Sequence, residues 1–283
     1  MTLPGRGTTW VREAGSDDPG APTLVLLHGW TATAALNWVH VFAPLGREFR
    51  LVALDHRGHG RGIRPSAMRR FRLQDCADDV AALADALGLE QVVPVGYSMG
   101  GPVATLTWRR HPDRVAGLVL CATSRHFAAS SGFRTADLAM RGGVLGVATA
   151  LRSVPPSVRQ RATDALVERR RASGLPGWAL DEVSGNDPAA LAEAFAELRA
   201  FDATAWIGDI DVPTAVVVTT QDRVVPPSRQ RELAAEIPGA TLWPVEGDHA
   251  ACISDAAAFV PVLTSACRWV TGRGPGPAGA AQP

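Results

Sequence analysis

The chain has 283 residues, 46% of them hydrophobic, with 28 basic and 28 acidic side chains and no net formal charge. That balance argues against a nucleic-acid binder, which would show a basic surplus or stripe. Every basic residue is an arginine, which removes chemistries that need a lysine Schiff base, a pyridoxal-phosphate anchor or a phosphate-loop lysine.

Residues 8–13 alternate and read as a short edge strand. Residues 23–27, TLVLL, are a continuous apolar run ending in His28-Gly29-Trp30. A helical pattern with Trp38, Val41, Phe42 and Leu45 leads to the next apolar run at 49–54. Strands that are apolar without alternation are expected where helices cover both faces of a parallel sheet. The segment DHRGHGRG, 55–62, is a glycine-punctuated loop. Residues 71–87 then carry helical periodicity (Cys76, Val80, Leu83, Leu87) that stops at Gly88, a natural C-terminal cap.

Residues 92–107, VVPVGYSMGGPVATLT, pass from an apolar strand through Gly96-Tyr97-Ser98-Met99-Gly100 into a small-residue helix. Another buried strand lies within 114–122. Between 124 and 204 no strong strand pattern appears, and Asp187-Pro188 opens the clearest helix there. Strand and helix then alternate again at 212–218, 227–237, 240–245 and 256–270. The last twelve residues, 272–283 (GRGPGPAGAAQP), cannot bury apolar surface and predict a disordered tail.

This rhythm predicts an α/β fold with a doubly wound, mostly parallel sheet. The expected organisation is a core of residues 1–123 and 205–271, with a helical lid, 124–204, inserted after the sixth strand. The lid would sit over the carboxyl ends of the strands, where open α/β sheets bind ligands. Its most apolar piece, GGVLGVATAL at 142–151, reads as an amphipathic helix packed on the core, against readings as an acyl-pocket wall or a lipid contact. Membrane contact through it stays open. No signal-peptide pattern opens the chain and no apolar run approaches the ~18 residues of a membrane span, so a cytoplasmic protein is the default. Cys76, Cys121, Cys252 and Cys267 lack C-x-x-C spacing and read as buried free thiols.

G-x-S-x-G between a strand and a helix is the context of a nucleophile elbow, with Ser98 on a sharp turn whose neighbours two residues away must be small. A serine hydroxyl becomes a nucleophile when a histidine takes its proton, and a carboxylate fixes that histidine's tautomer. Both partners follow predicted strands: Asp222 in TQDRVVP and His249 in EGDHA. Parallel strands bring their carboxyl ends to one edge, so Ser98, Asp222 and His249 can converge. His56 and His59 with Asp55 imitate metal ligands, but a third ligand at metal spacing is missing. A turn held by an Asp/Arg network explains them better, and no metal is expected. His28 reads as a core residue. Tyr97, Trp30 and Trp38 are candidates for the substrate pocket, with packing at the elbow (Tyr97) and in the core (Trp30 and Trp38) as their competing roles.

The text LLHGW, ALDHRGHG, VGYSMGG, QDRVVP and EGDHA, in that order, resembles the α/β-hydrolase superfamily over nearly the whole chain outside the lid and tail. The resemblance implies a Ser98–Asp222–His249 triad and an oxyanion hole made by the backbone N–H groups of Trp30 and Met99. It also implies that haloalkane dehalogenase and epoxide hydrolase activities are not expected, because those relatives carry aspartate where Ser98 stands. Three positions depart from the family: Thr219 where glycine is usual three residues before the acid, Asp248 where glycine precedes the histidine, and Arg61 where serine often follows the arginine loop. Asp248 could also compete with Asp222 for His249.

The expected activity is cleavage of a carboxylic ester through an acyl-enzyme, with a small-molecule ester or acyl compound as partner and no cofactor. Hydrolysis of a C–C bond, lactone or thioester and cofactor-free perhydrolysis use the same triad and stay open. So do a lipase acting at a membrane surface, a non-catalytic ligand-binding role and the oligomeric state.

Overall fold

The apolar runs become strands buried on both sides, and the glycine- and proline-rich text between them becomes loops and helices. The computed structural model describes residues 1–64, 70–128, 134–170 and 177–277. In chain order, β1 (Thr2–Leu3), β2 (Gly7–Thr8), β3 (Val11–Gly15) and β4 (Thr23–Leu27) precede α1 (Ala34–Trp38) and α2 (Phe42–Leu45). Then follow β5 (Arg50–Leu54), α3 (Leu73–Ala86), β6 (Val93–Tyr97), α4 (Gly100–Arg110) and β7 (Leu118–Cys121). Four helices come next: α5 (Arg134–Ser153), α6 (Pro156–Arg170), α7 (Gly177–Ser184) and α8 (Pro188–Ala200). The chain returns to the sheet as β8 (Thr214–Thr219), α9 (Pro227–Glu236), β9 (Thr241–Val245), α10 (Ala251–Ser254) and α11 (Ala256–Val270).

Seven strands form one sheet in the order β3-β5-β4-β6-β7-β8-β9, antiparallel only where β3 pairs with β5. Side chains alternate across it. Val25, Leu27, Val52, Leu54, Val216 and Val218 join one core with α3 and α4, whereas Leu24, Leu26, Leu51, Ala53, Ala215 and Val217 join another with α1 and α11. Both faces are covered, which is why these strands read as unbroken apolar runs.

The helical segment follows the fifth strand of this sheet rather than the sixth. Residues 8–13 supply only one edge strand to it, shifted to Val11–Gly15, while β1 and β2 pair into a separate two-stranded sheet. Within the segment α5 packs on α8, and Arg152 pairs with Glu193 through two bonds of 2.6 and 2.7 Å. Glu193 also accepts the Phe71 backbone N–H at 2.7 Å, joining the segment to the core. Residues 142–151 lie in α5, with Ala148 buried and Val147 exposed, so the stretch is amphipathic.

The first half of the predicted tail is tethered. Arg273 donates to the carbonyls of Gly20 (2.9 Å) and Glu48 (3.3 Å), a polar anchor that counting apolar residues does not register. Residues 278–283 lie outside the described residues. All four cysteines are buried and free. Among the described residues no helix is long and apolar enough to cross a membrane.

Candidate active site

The turn after β6 is built by exclusion. Ser98 has φ of 52°, a left-handed conformation that a non-glycine residue adopts at a cost. The helix must start against the strand it just left: a Cβ on Gly96 would stand 2.3 Å from the Gly100 carbonyl oxygen, and one on Gly100 would stand 2.2 Å from that of Leu27. Hydrogen bonds lock the strained residue. Its N–H donates to Cys121 O at 2.9 Å, and its carbonyl accepts from Gly101 N (2.9 Å) and Thr123 Oγ1 (2.8 Å).

The sheet order then brings the other two expected residues to the same edge. Ser98 Oγ lies 3.0 Å from His249 Nε2, and His249 Nδ1 lies 2.7 Å from Asp222 Oδ2. An ionised carboxylate only accepts, so Nδ1 carries the proton and Nε2 presents its lone pair to the serine. Asp222 is buried, with its Oδ1 accepting the N–H groups of Val224 and Val225 at 2.8 Å each. Its Oδ2 accepts from Thr219 Oγ1 (2.8 Å) and Gln230 Nε2 (3.2 Å) as well as from His249. Burial pushes the Asp222 carboxyl up, yet the hydrogen bond and charge of His249 and the bonds from Val225 and Thr219 outweigh it and hold the pKa low. Asp248 does not compete for the ring: its Oδ1 accepts the Ala250 N–H at 2.7 Å.

Trp30 and Met99 flank the serine. Gly29 approaches Ser98 so closely that a Cβ there would touch the serine Cβ at 3.4 Å, and Asn37 Oδ1 holds the Gly29 N–H at 2.9 Å. The backbone N–H groups of Trp30 and Met99 have no acceptor among the described residues. The left-handed Thr31 (φ 65°) follows, its carbonyl accepting from Asn186 Nδ2 at 2.8 Å. The Trp30 indole donates to Leu191 O of α8 at 2.9 Å and packs 5.2 Å from Phe195.

A cavity of about 310 Å³ opens at this point, walled by Trp30, Thr31, Ser124, Phe127, Phe195, Leu198, Val224 and Val225, with Ser98 and His249 at its base. Tyr97 and Trp38, expected in the pocket, are not on its wall. Tyr97 is the last residue of β6 and points to the opposite sheet face, edge-on to Trp38 (6.1 Å) and Phe259 (5.7 Å). Its hydroxyl donates to the His249 carbonyl at 2.9 Å, so it braces the histidine loop from beneath. Trp38 is fully buried in that core.

His28, directly after β4, clusters with His56 and His59 of the neighbouring loop, the tilted ring centroids 4.3 Å (His28–His56) and 5.3 Å (His28–His59) apart. Asp55 is occupied by backbone, taking Ala34 N–H on Oδ1 and Arg61 N–H on Oδ2, both at 2.8 Å. Among the described residues no group of three or more His, Cys, Asp and Glu side chains is arranged to hold a metal ion.

Sequence reasoning missed Thr219, Gln230, Asn37 and Asn186. The first two could have been suspected from their closeness to Asp222 in the chain; Asn186 reaches its partners only through the fold.

The model of the alpha/beta hydrolase fold family matches residues 22–256. A pimeloyl-[acyl-carrier protein] methyl ester esterase of Chromobacterium violaceum is 29% identical over 248 residues, 86% of this chain and 92% of that one. Epoxide hydrolase B of Mycobacterium tuberculosis is 39% identical over 104 residues, which are 36% of this chain and only 29% of the relative's length. The crystal structure of the enol-lactonase from Burkholderia xenovorans LB400 superposes with a TM-score of 0.70 at 23% identity, covering 92% of this chain and 96% of the other. Fold, motif order and family match agree, and the chain belongs to the alpha/beta hydrolase fold family.

Proposed function

We propose that this α/β hydrolase is a serine esterase that cleaves a carboxylic ester of a small molecule, with Ser98, His249 and Asp222 as its triad. The observation that carries the reading is the continuous chain from Ser98 Oγ through the imidazole to a buried carboxylate, at 3.0 and 2.7 Å. In this reading Ser98 Oγ attacks the ester carbon while His249 Nε2 takes its proton. The tetrahedral oxyanion accepts from the N–H groups of Trp30 and Met99, each such donor being worth about 10²–10³ in rate. Collapse expels the alcohol with the proton from His249, and water attacks the acyl-enzyme by the same route.

The helices between β7 and β8 act as a lid, since α8 supplies Phe195 and Leu198 to the cavity wall. The esterase among the full-length relatives favours ester over other acyl chemistry. The epoxide hydrolase match does not change the assignment, because Ser98 stands at the nucleophile position.

The test is hydrolysis of p-nitrophenyl esters of increasing acyl length by wild type and Ser98→Ala. Wild type is expected to turn over, with a chain-length optimum set by the cavity, and the variant to lose roughly 10⁶ in turnover. Equal activity of the two proteins would remove Ser98 from the mechanism. No turnover of any ester by wild type would remove the esterase assignment.

A further inference from the structure

Charge in this chain is balanced overall, whereas the charged side chains that line the cavity are all basic. Its wall contains two guanidinium groups, Arg199 from α8 and Arg229 from the first turn of α9, and no aspartate or glutamate among the described residues. Several buried or half-buried arginines elsewhere in the fold lie on carboxylates: Arg57 on Asp79, Arg152 on Glu193, Arg159 on Asp187. The half-buried Arg229 side chain has neither a hydrogen bond nor an ion pair among the described residues.

Beside it stands His126, whose Nδ1 is buried without a partner and whose ring makes no hydrogen bond among the described residues. Burial, with the charges of Arg229 and Arg125, lowers the His126 pKa against the opposing charges of Asp202 and Glu232, so the ring stays neutral near pH 7. A neutral imidazole is a single N–H donor that adds no charge of its own. A guanidinium is a planar fork matched to a carboxylate, and in a concave site it binds one more strongly than at an open surface.

We propose that the pocket selects esters whose acyl part ends in a carboxylate, that is, half-esters of dicarboxylic acids, with Arg229 as the charge partner and His126 as a neutral second donor. Phe127, Leu198 and Val224 of the lining supply apolar surface for the methylene spacer. This rests on the esterase reading and adds to it the class of acid that is released.

The experiment compares monomethyl succinate, glutarate and adipate with methyl esters of monocarboxylic acids of matched length, for wild type, Arg229→Gln and Arg47→Gln. Arg47 is exposed and does not line the cavity. Wild type is expected to prefer the best half-ester by about tenfold or more in kcat/KM, the scale of one charge-assisted hydrogen bond. In Arg229→Gln that ratio falls toward one, chiefly through KM, while Arg47→Gln keeps the wild-type ratio. In parallel, titration calorimetry follows glutarate, and separately inorganic phosphate, binding to wild type and Arg229→Gln.

Glutarate binding that is lost in Arg229→Gln, together with half-ester turnover, supports the proposal; the same binding with no ester turned over leaves Arg229 as a carboxylate site and overturns the half-ester substrate along with the esterase reading. Phosphate binding at the same arginine with no glutarate binding overturns the carboxylate assignment. Turnover of neutral esters with no half-ester preference overturns the proposal and leaves the esterase reading standing.

Discussion

The three clustered histidines make the protein's stability depend on pH in a defined window. Each tautomer is fixed by its bonds. His28 Nε2 accepts the His56 backbone N–H at 2.9 Å, so its proton is on Nδ1, facing Gly29 O at 2.8 Å. His56 donates from Nε2 to His28 O (3.2 Å) and His59 from Nδ1 to Arg57 O (3.0 Å), leaving His56 Nδ1 and His59 Nε2 buried with no partner. A second proton on any ring would bury an unpaired charge, and on His28 it would also break the bond from His56. Burial accordingly lowers His28 from 6.5 to about 4 and His59 to about 3, and burial with its two histidine neighbours lowers His56 well below 6.5.

Below pH 6.5 the unfolded chain binds these protons and the folded chain does not, so stability falls as pH falls, until the folded-state values near 4 and 3 are reached. At about pH 5 His28 and His59 each cost about 1.4 kcal/mol per pH unit over roughly 1.5 units, or about 2 kcal/mol. The two together cost about 4 kcal/mol, with His56 acting in the same direction, a large share of the ~5–15 kcal/mol that a domain possesses. Carboxylates with lowered pKa, such as Asp222 and Asp202, lose their contribution only as pH falls below their ordinary value of 3.8, a separate window. Urea unfolding followed by tryptophan fluorescence at about pH 7.5, 6 and 5 should show this loss at constant m-value. His59→Leu should lose about 2 kcal/mol less over the same interval. A wild-type loss under about 1 kcal/mol by pH 5, or one that begins only below pH 4, would refute the assignment to the histidines.

Two further substitutions test how the site is held. Asp222→Asn keeps the shape of the group but replaces an acceptor-only carboxylate that takes five hydrogen bonds with an amide, so the wrong histidine tautomer is favoured. Ester turnover is expected to fall about 10⁴-fold with circular dichroism unchanged, and a fall of less than tenfold would mean that Asp222 does not orient His249. Asn186→Ala removes the buried amide that donates to Thr31 O and accepts from Gly60 N, both at 2.8 Å. It should cost about 1–3 kcal/mol for each backbone group left unpaired and lower kcat through the Trp30 loop. Lost urea stability with unchanged kcat would show that the helical segment does not steady that loop.

Much of this was readable because the relevant signals are local. Strands buried on both faces leave unbroken apolar runs, the elbow needs glycine at two fixed offsets, and parallel strands return their carboxyl ends to one edge. Of the cavity wall, Trp30 was readable and most of the rest was not. Tyr97 is next to Ser98 in the chain, but consecutive residues of a strand face opposite sides, and its ring belongs to the core beneath. Phe195 and Arg199 come from α8, about a hundred residues after the elbow. Nothing in their own stretch of sequence says which loop they meet. Arg229 and His126 meet because β7 and β8 are neighbours in the sheet, a fact of topology and not of pattern.

The three departures from the family text turn out to be supports. Arg61 donates its N–H to Asp55, pairs with Glu182 of α7 at 3.0 Å and stacks 4.3 Å over Trp10. Asp248 caps the turn into α10. Thr219 has the most consequence, because its hydroxyl donates to Asp222 while taking a hydrogen bond of 2.9 Å from Gln230 Nε2. Gln230 in turn reaches Asp222 directly at 3.2 Å and Val225 O at 2.7 Å, so α9 is fastened to the acid of the site through one buried side chain. The residue before it is Arg229. The helix that orients the carboxylate is therefore the helix that carries the guanidinium into the cavity. An anion bound at Arg229 would pull on an element already bonded to Asp222, and a substitution that unsettles α9 reaches His249 through Gln230 and Asp222. That coupling is why the half-ester to neutral-ester ratio, and not the absolute rate, isolates what Arg229 does for the substrate.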